Sequence, residues 1–309
     1  MAEIVSSDRS YNPRPPAVQN SRRGAASLAA RGAAPRIDSR DPPGAIIHRH
    51  MCELLGMECN IPTDITFSFS GLSARGGGKG PHAHGWGLAL YDGNVAQVFR
   101  EPAPACTSAL AGFVRQHPIK TLLAIAHVRK KTRGKVSLAN THPFARELWG
   151  KNFVFAHNGT VKPVTRLRLG GFRPMGQTDS EHAFCALLSA LQHDFPRGPR
   201  SRDDLAAAVA AHAGRIGKLG TFNMLLGDGE QLFARCSTRL HYLIRRAPFR
   251  KATLADEDVC VDFAELTTPR DRVAVVATAP LTRDETWTPA EPDTLWVFRR
   301  GRLTHTLAS

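Results

Sequence analysis

Cys52 directly follows a methionine at the point where the chain begins to look foldable, in the run Met51-Cys52-Glu53-Leu54-Leu55-Gly56-Met57. If translation starts at Met51 and that residue is trimmed, Cys52 carries a thiol and a free α-amine on one carbon. An unperturbed thiol has a pKa of about 8.5 and an α-amine one of about 7.7–8.0. The amine can then take the thiol's proton, which gives a nucleophile with its own base. A cysteine inside a chain has only an amide nitrogen, which is no base, and its commonest role is that of a small buried hydrophobe.

Other polar clusters could serve such a nucleophile. Arg129, in Ala126-His127-Val128-Arg129-Lys130-Lys131-Thr132-Arg133-Gly134, is expected at a strand end. A guanidinium there can clamp a carboxylate through two parallel hydrogen bonds, or it can belong to a solvated basic turn. His142 precedes Pro143 in an extended turn and either orients a site or satisfies loop backbone. Asn158-Gly159 reads as a turn after a strand, able to set a side-chain amide beside an exposed N–H. Two such donors make an oxyanion hole; the bland alternative is an ordinary Asn-Gly turn. Asp179 opens a helix, where it can bind a substrate ammonium, act as a cap, or do both. His82 and His84, with His127, His142 and His157, match no standard ligand spacing, so no metal is expected. Nucleophile, carboxylate clamp, oxyanion donors and ammonium acceptor together describe a pocket for an L-α-amino acid with an acyl group in its side chain. Glutamine is the obvious candidate.

Strand-like runs dominate the elements that would hold these groups. The segments 86–91 and 95–99 flank Asp92-Gly93, a hairpin signal. Apolar runs at 121–127 and 152–157 each end in histidine. The runs 222–226, 231–236 and 241–245 read as a meander, and 272–278 and 295–299 complete the set. Helical periodicity covers 108–116, 180–195 and 203–216, with Thr107 and either Thr178 or Asp179 as expected caps for the first two. Many antiparallel strands with few, grouped helices indicate an α+β layered domain.

The 309 residues divide unevenly. Residues 1–51 are rich in arginine and broken by prolines, with too few large apolar side chains for a core. They are expected to be a disordered extension, arising from a mis-assigned start or serving as a propeptide; a targeting peptide is the third explanation. Residues 52–309 suit one large domain. No stretch approaches the ~20 apolar residues of a membrane span. Six scattered cysteines without a CxxC pair suggest neither a disulfide framework nor structural zinc, and a reducing cytoplasm fits. The formal charge of +14 invites a nucleic-acid reading. The basic residues are dispersed and not interleaved with aromatics, so we expect neither a nucleic-acid nor a membrane partner.

Taken together, the Met51–Gly56 run, Arg129…Thr132-Arg133-Gly134, Asn140-Thr141-His142-Pro143, His157-Asn158-Gly159 and Thr178-Asp179-Ser180-Glu181 resemble class-II glutamine amidotransferases. The stand-alone, YafJ-like proteins are the most similar, with Arg146-Glu147-Leu148-Trp149-Gly150 and Phe222-Asn223-Met224-Leu225-Leu226 matching as well. The resemblance runs from Met51 to about Arg299. It implies a four-layer αββα sandwich of the N-terminal-nucleophile hydrolase type, with Cys52 attacking glutamine and no cofactor. It also implies that Asn158 and Gly159 form the oxyanion hole, that Arg129 binds the α-carboxylate beside Thr132, and that Asp179 takes the α-ammonium. His142 and Trp86 would support the pocket. Glutamate and ammonia would be the products. No acceptor domain follows, so ammonia would pass to a separate synthase or simply be released. Lys130 and Lys131 depart from the family pattern at the pocket rim. That keeps open a second substrate class, the γ-glutamyl amides and peptides of thiol metabolism.

Overall fold

The computed structural model describes residues 52–131 and 135–309. The expected extension 1–51 and Thr132 lie outside the described residues. The strands are β1 (Glu53–Asp64), β2 (Trp86–Asp92), β3 (Val95–Glu101), β4 (Lys120–Val128), β5 (Phe144–Leu148), β6 (Lys151–Val161), β7 (Gly220–Gly227), β8 (Leu232–Cys236), β9 (His241–Arg246), β10 (Lys251–Thr253), β11 (Cys260–Asp262), β12 (Arg272–Ala277), β13 (Thr288–Pro289), β14 (Thr294–Arg299) and β15 (Arg302–Ala308). The helices are α1 (Thr66–Arg75), α2 (Ala109–Gln116), α3 (Asp179–Asp194), α4 (Arg202–Gly217) and α5 (Phe263–Leu266).

Two antiparallel sheets stack face to face. One has the order β13-β9-β12-β1-β4-β2-β3 and the other β15-β14-β8-β7-β6-β5. Strand alternation explains why each sheet is apolar on both sides. In β1, Leu55, Met57 and Cys59 face α1 and α2, while Leu54 faces the other sheet. In β6, Phe153 and Phe155 face α3 and α4, while Val154 and Ala156 face inward. The result is three apolar layers: helices on the first sheet, sheet on sheet, and helices on the second sheet. This is the αββα sandwich implied by the resemblance. Gly56 sits where the sheets close on each other, since a Cβ there would come within 2.8 Å of Leu232 Cδ2. Among the described residues no helix is long and apolar enough to cross a membrane.

Local chemistry accounts for the boundaries. The β2–β3 hairpin turns on Gly93-Asn94, with Gly93 at φ +56°. Thr178 caps α3 by accepting from Glu181 N at 3.2 Å. The cap of α2 is Ser108 rather than Thr107, because the Ser108 hydroxyl is the one that accepts from Ala111 N at 2.9 Å. The expected meander also needs correction. β7 and β8 pair with each other, but β9 crosses to the other sheet and pairs with β12. Asn223 fastens the crossing, its Oδ1 accepting from the backbone N–H of Ser237, Thr238 and Arg239.

Candidate active site

Cys52 lies at the head of β1, against the end of β4. Antiparallel pairing of Glu53 with Val128 brings the residues just beyond, Arg129 and Lys130, alongside it. The Cys52 thiol lies 3.3 Å from Lys130 O, and the Lys130 backbone N–H donates to the sulfur at 3.2 Å. Burial pushes the Cys52 thiol up to about 11, while the Lys130 N–H and the Arg129 charge pull it back. The thiol within the continuous chain is therefore neutral near pH 7, and an external base is what it lacks.

The second sheet supplies the facing groups. Asn158 and Gly159 do not form a turn: β6 continues through them to Val161, and they pair with Asn223 and Phe222 of β7. Alternation sends Asn158 toward the gap between the sheets, where its Nδ2 donates to Cys52 O. Gly159 adopts φ +151°, and a Cβ there would lie 2.0 Å from Thr221 O. Only glycine fits. Gly159→Ala should force β6 away from β7 and shift the adjacent Asn158 side chain, an effect read as a lowered melting temperature.

His157 anchors this corner. Its Nε2 lies 3.1 Å from Thr221 O, which can only accept, so Nε2 carries the proton and Nδ1 accepts from Ser180 Oγ at 2.8 Å. One imidazole thereby ties β6 to α3 and β7. Burial holds the His157 pKa below its ordinary value, with Asp179 pulling the other way.

Asp179 opens α3. Its Oδ2 accepts from Val161 N at 2.8 Å, and among the described residues its Oδ1 has no hydrogen-bond partner. Cap and cation acceptor are thus compatible roles, one for each oxygen. The loop before it is held by Asn140, whose Oδ1 accepts from Gln177 N at 2.8 Å.

Cys52, Arg129, His142, Asn158, Gly159 and Asp179 line one cavity of about 560 Å³. Arg129 is almost fully buried there, and its Nη1 donates to Lys135 O at 3.3 Å. His142 packs against His127, the rings tilted by 37° with centroids 4.3 Å apart. Burial holds His142 well below its ordinary pKa and takes His127 to about 3, so both rings are neutral. Trp86 is not in the cavity. Strand alternation turns it with Leu88 and Leu90 into the core beneath α1, where it packs on Phe69 and donates to Glu101 Oε2 at 3.1 Å.

The sequence did not reveal the Lys130 backbone at the sulfur, the Ser180–His157–Thr221 tie, or the far wall formed by Lys162, Pro163, Val164 and Thr165. His82 and His84 are occupied separately, the first against Arg75 O at 3.0 Å and the second by Lys131 N at 3.2 Å. Among the described residues no group of three or more metal-ligating side chains converges.

Comparison with known proteins agrees with this geometry. Residues 51–309 match the family model described as class-II glutamine amidotransferases. YafJ of Escherichia coli strain K12 is 50% identical over 251 residues, which cover 81% of this chain and 98% of YafJ. A crystal structure from Pseudomonas aeruginosa PA01, described as a "predicted glutamine amidotransferase", superposes with a TM-score of 0.67 at 40% identity, over 82% of this chain and 100% of that one. The glutamine phosphoribosylpyrophosphate amidotransferase of B. subtilis shares the fold at 15% identity, with a TM-score of 0.53. That match covers 83% of this chain and 49% of the B. subtilis protein.

Proposed function

Because this chain belongs to the class-II glutamine amidotransferases, we propose that it hydrolyses the side-chain amide of glutamine through a thioester on Cys52. The observation that carries the reading is the convergence of Cys52, Arg129, Asn158, Gly159 and Asp179 on one cavity. Their chemistries match the three parts of the substrate: carboxylate, ammonium and carboxamide.

In this reading the freed α-amine of Cys52 takes the thiol proton as sulfur attacks the amide carbon. The oxyanion forms opposite Asn158 Nδ2 and the Gly159 N–H, whose worth lies in being fixed before charge develops. The carbon–nitrogen bond breaks, and the ammonium at Cys52 returns its proton to the departing ammonia. Water, activated by the same amine, cleaves the thioester and releases glutamate. Arg129 and Asp179 hold the amino-acid head so that the reacting atoms meet, a positioning effect that can supply several kcal/mol of the barrier. The mechanism draws on no metal or cofactor. Ammonia would be used by a separate synthase or released. The domain is taken as one unit from Cys52 onward, preceded by an extension whose removal frees the amine that serves as base. All six cysteines are free, which suits the cytoplasm.

One observation favours a larger substrate. The cavity continues past the oxyanion corner along 160–165, and its ~560 Å³ falls in the range that houses ligands much larger than one amino acid. Lys162 lies in that stretch, and Lys130 lines the same cavity beside Cys52. A γ-glutamyl amide or peptide with an anionic distal group would fill it. A kcat/KM on γ-glutamyl peptides far above that on glutamine would select this substrate class.

The primary test is exposure to a diazo-ketone glutamine analogue followed by intact-mass and peptide analysis. A single adduct on Cys52 with loss of glutamate release is expected; an adduct on another cysteine would overturn the assignment. Asp179→Asn keeps an acceptor for Val161 N but loses the charge opposite the substrate ammonium. It should raise KM by ~10–100-fold with kcat nearly kept, the loss of one charge-assisted hydrogen bond.

A further inference from the structure

A second concavity, of about 870 Å³, opens at the opposite end of the strands from Cys52. Six residue steps along the chain lead from Cys52 to Glu58 in its wall, about 20 Å at ~3.3 Å per residue. Five arginines line it: Arg202 from α4, Arg272, Arg299 and Arg302 from strands of the two sheets, and Arg300 from the turn after Arg299. Among the described residues only Arg202 has an ion-pair partner, Glu230 at 2.5 Å. The other four guanidinium groups form no ion pair among the described residues.

The backbone that carries these arginines is fixed. Arg300 and Gly301 form the β14–β15 turn, at φ +52° and +66°, and both backbone N–H groups donate to the buried Glu58 carboxylate, at 2.6 and 2.7 Å. A Cβ on Gly301 would lie 2.3 Å from Arg272 O, so the turn rests directly on the first residue of β12. Asn60 fixes that residue in turn, its Oδ1 accepting from Arg272 N at 2.7 Å and its Nδ2 donating to Arg270 O at 2.9 Å. Burial pushes Glu58 up to about 7, against the pull of Gly301 N–H, Arg300 N–H and Arg299, so it carries less than a full negative charge near neutrality. Each of its oxygens already accepts one N–H from the turn. Glu58 and Glu230 also line the concavity, so two carboxylates face five guanidinium groups; the excess of like charge is repulsive, and a multivalent anion relieves that repulsion. Planar guanidinium forks from several directions match the oxygens of phosphate better than a single lysine would.

We propose that the arginine-lined cavity formed by Arg272, Arg299, Arg300 and Arg302 binds a small anion bearing two or more phosphate charges. The site is separate from the Cys52 cavity, and its occupancy does not depend on the chemistry there. The test is isothermal titration of the full-length protein with pyrophosphate at 0.15 M salt, with citrate as a charge-matched carboxylate and a single-stranded oligonucleotide as a polymeric phosphate. Saturable 1:1 binding of pyrophosphate is expected, weakened at least tenfold in the double variant Arg299→Ala/Arg302→Ala and again in the single exposed variant Arg302→Glu, with far-UV circular dichroism unchanged in both. Failure to saturate, equal binding by the folded variants, tighter binding of citrate, or binding of the oligonucleotide alone would each overturn the proposal.

Discussion

Replacing Cys52 with alanine is expected to abolish glutamate release from glutamine, by a factor on the order of 10⁶ in kcat, the scale seen when a catalytic nucleophile is removed. The expectation follows from what surrounds the sulfur. Burial raises the thiol to about 11, the Lys130 backbone N–H at 3.2 Å and the Arg129 charge pull it partway back, and among the lining groups named above only Cys52 is a thiol. Binding should survive, because Arg129 and Asp179 remain in place to hold the amino-acid head. The variant should therefore still gain thermal stability from millimolar glutamine, as any ligand that binds only the folded state requires. Cys52→Ser should be nearly as inactive, since a hydroxyl is far harder to ionise in the same buried position. A coupled glutamate assay together with a melting curve separates the two properties. Turnover in Cys52→Ala within tenfold of the parent would dismiss the nucleophile assignment. Lost turnover together with lost glutamine stabilisation would point to collapse of the pocket instead.

The parts of this site that are legible in the sequence are those fixed by local chemistry. Arg129 follows an apolar run, so a strand end was expected, and β4 stops at Val128. Thr178 and Asp179 carry a helix-start signature that α3 obeys. What was not legible depends on partners distant in sequence. Asn158-Gly159 has the composition of a turn, yet β7 continues the pairing through both residues, and the Thr221 carbonyl then excludes any Cβ at position 159. Helix α1 reads Thr-Phe-Ser-Phe-Ser-Gly-Leu-Ser-Ala-Arg, a run poor in strong helix formers; it is helical because Phe69 and Leu72 are buried against the first sheet. Trp86 looked like a pocket residue by resemblance, but its register opposite Val128 puts it on the helix-facing side of that sheet. The split of β9 from β8 rests on Asn223 gathering three backbone N–H groups across fourteen to sixteen residues, a contact no local pattern announces.

A chain whose first residue is Cys52 should turn over glutamine faster than the full-length chain by ~10²–10⁴, the range that a positioned general base contributes. In the continuous chain the Cys52 nitrogen is an amide and the thiol is held at about 11, chiefly by burial and further by the Glu53 charge. Below that value the neutral thiol predominates, so the thiolate is a minor species at pH 7.5. Freeing the amine changes two things. The nitrogen becomes a base with a pKa near 7.7–8.0, and its protonated form adds a positive charge beside the sulfur, which lowers the thiol. The pH dependence should differ accordingly. For the shorter chain, kcat/KM should rise through about pH 7.7–8.0 and level off, because deprotonating the amine creates the active base. For the full-length chain, alkylation of Cys52 by iodoacetamide should still be climbing toward pH 11, because only ionisation of the thiol itself can drive it. The two forms are expression from Met51 with the methionine trimmed, and the full chain carrying Met51→Leu to prevent internal initiation. Intact mass assigns the first residue in each. Adduct formation with the diazo-ketone analogue is expected only on molecules that begin at Cys52. Equal turnover by a full-length chain that retains residues 1–51 would mean that the base is some group other than the amine of Cys52.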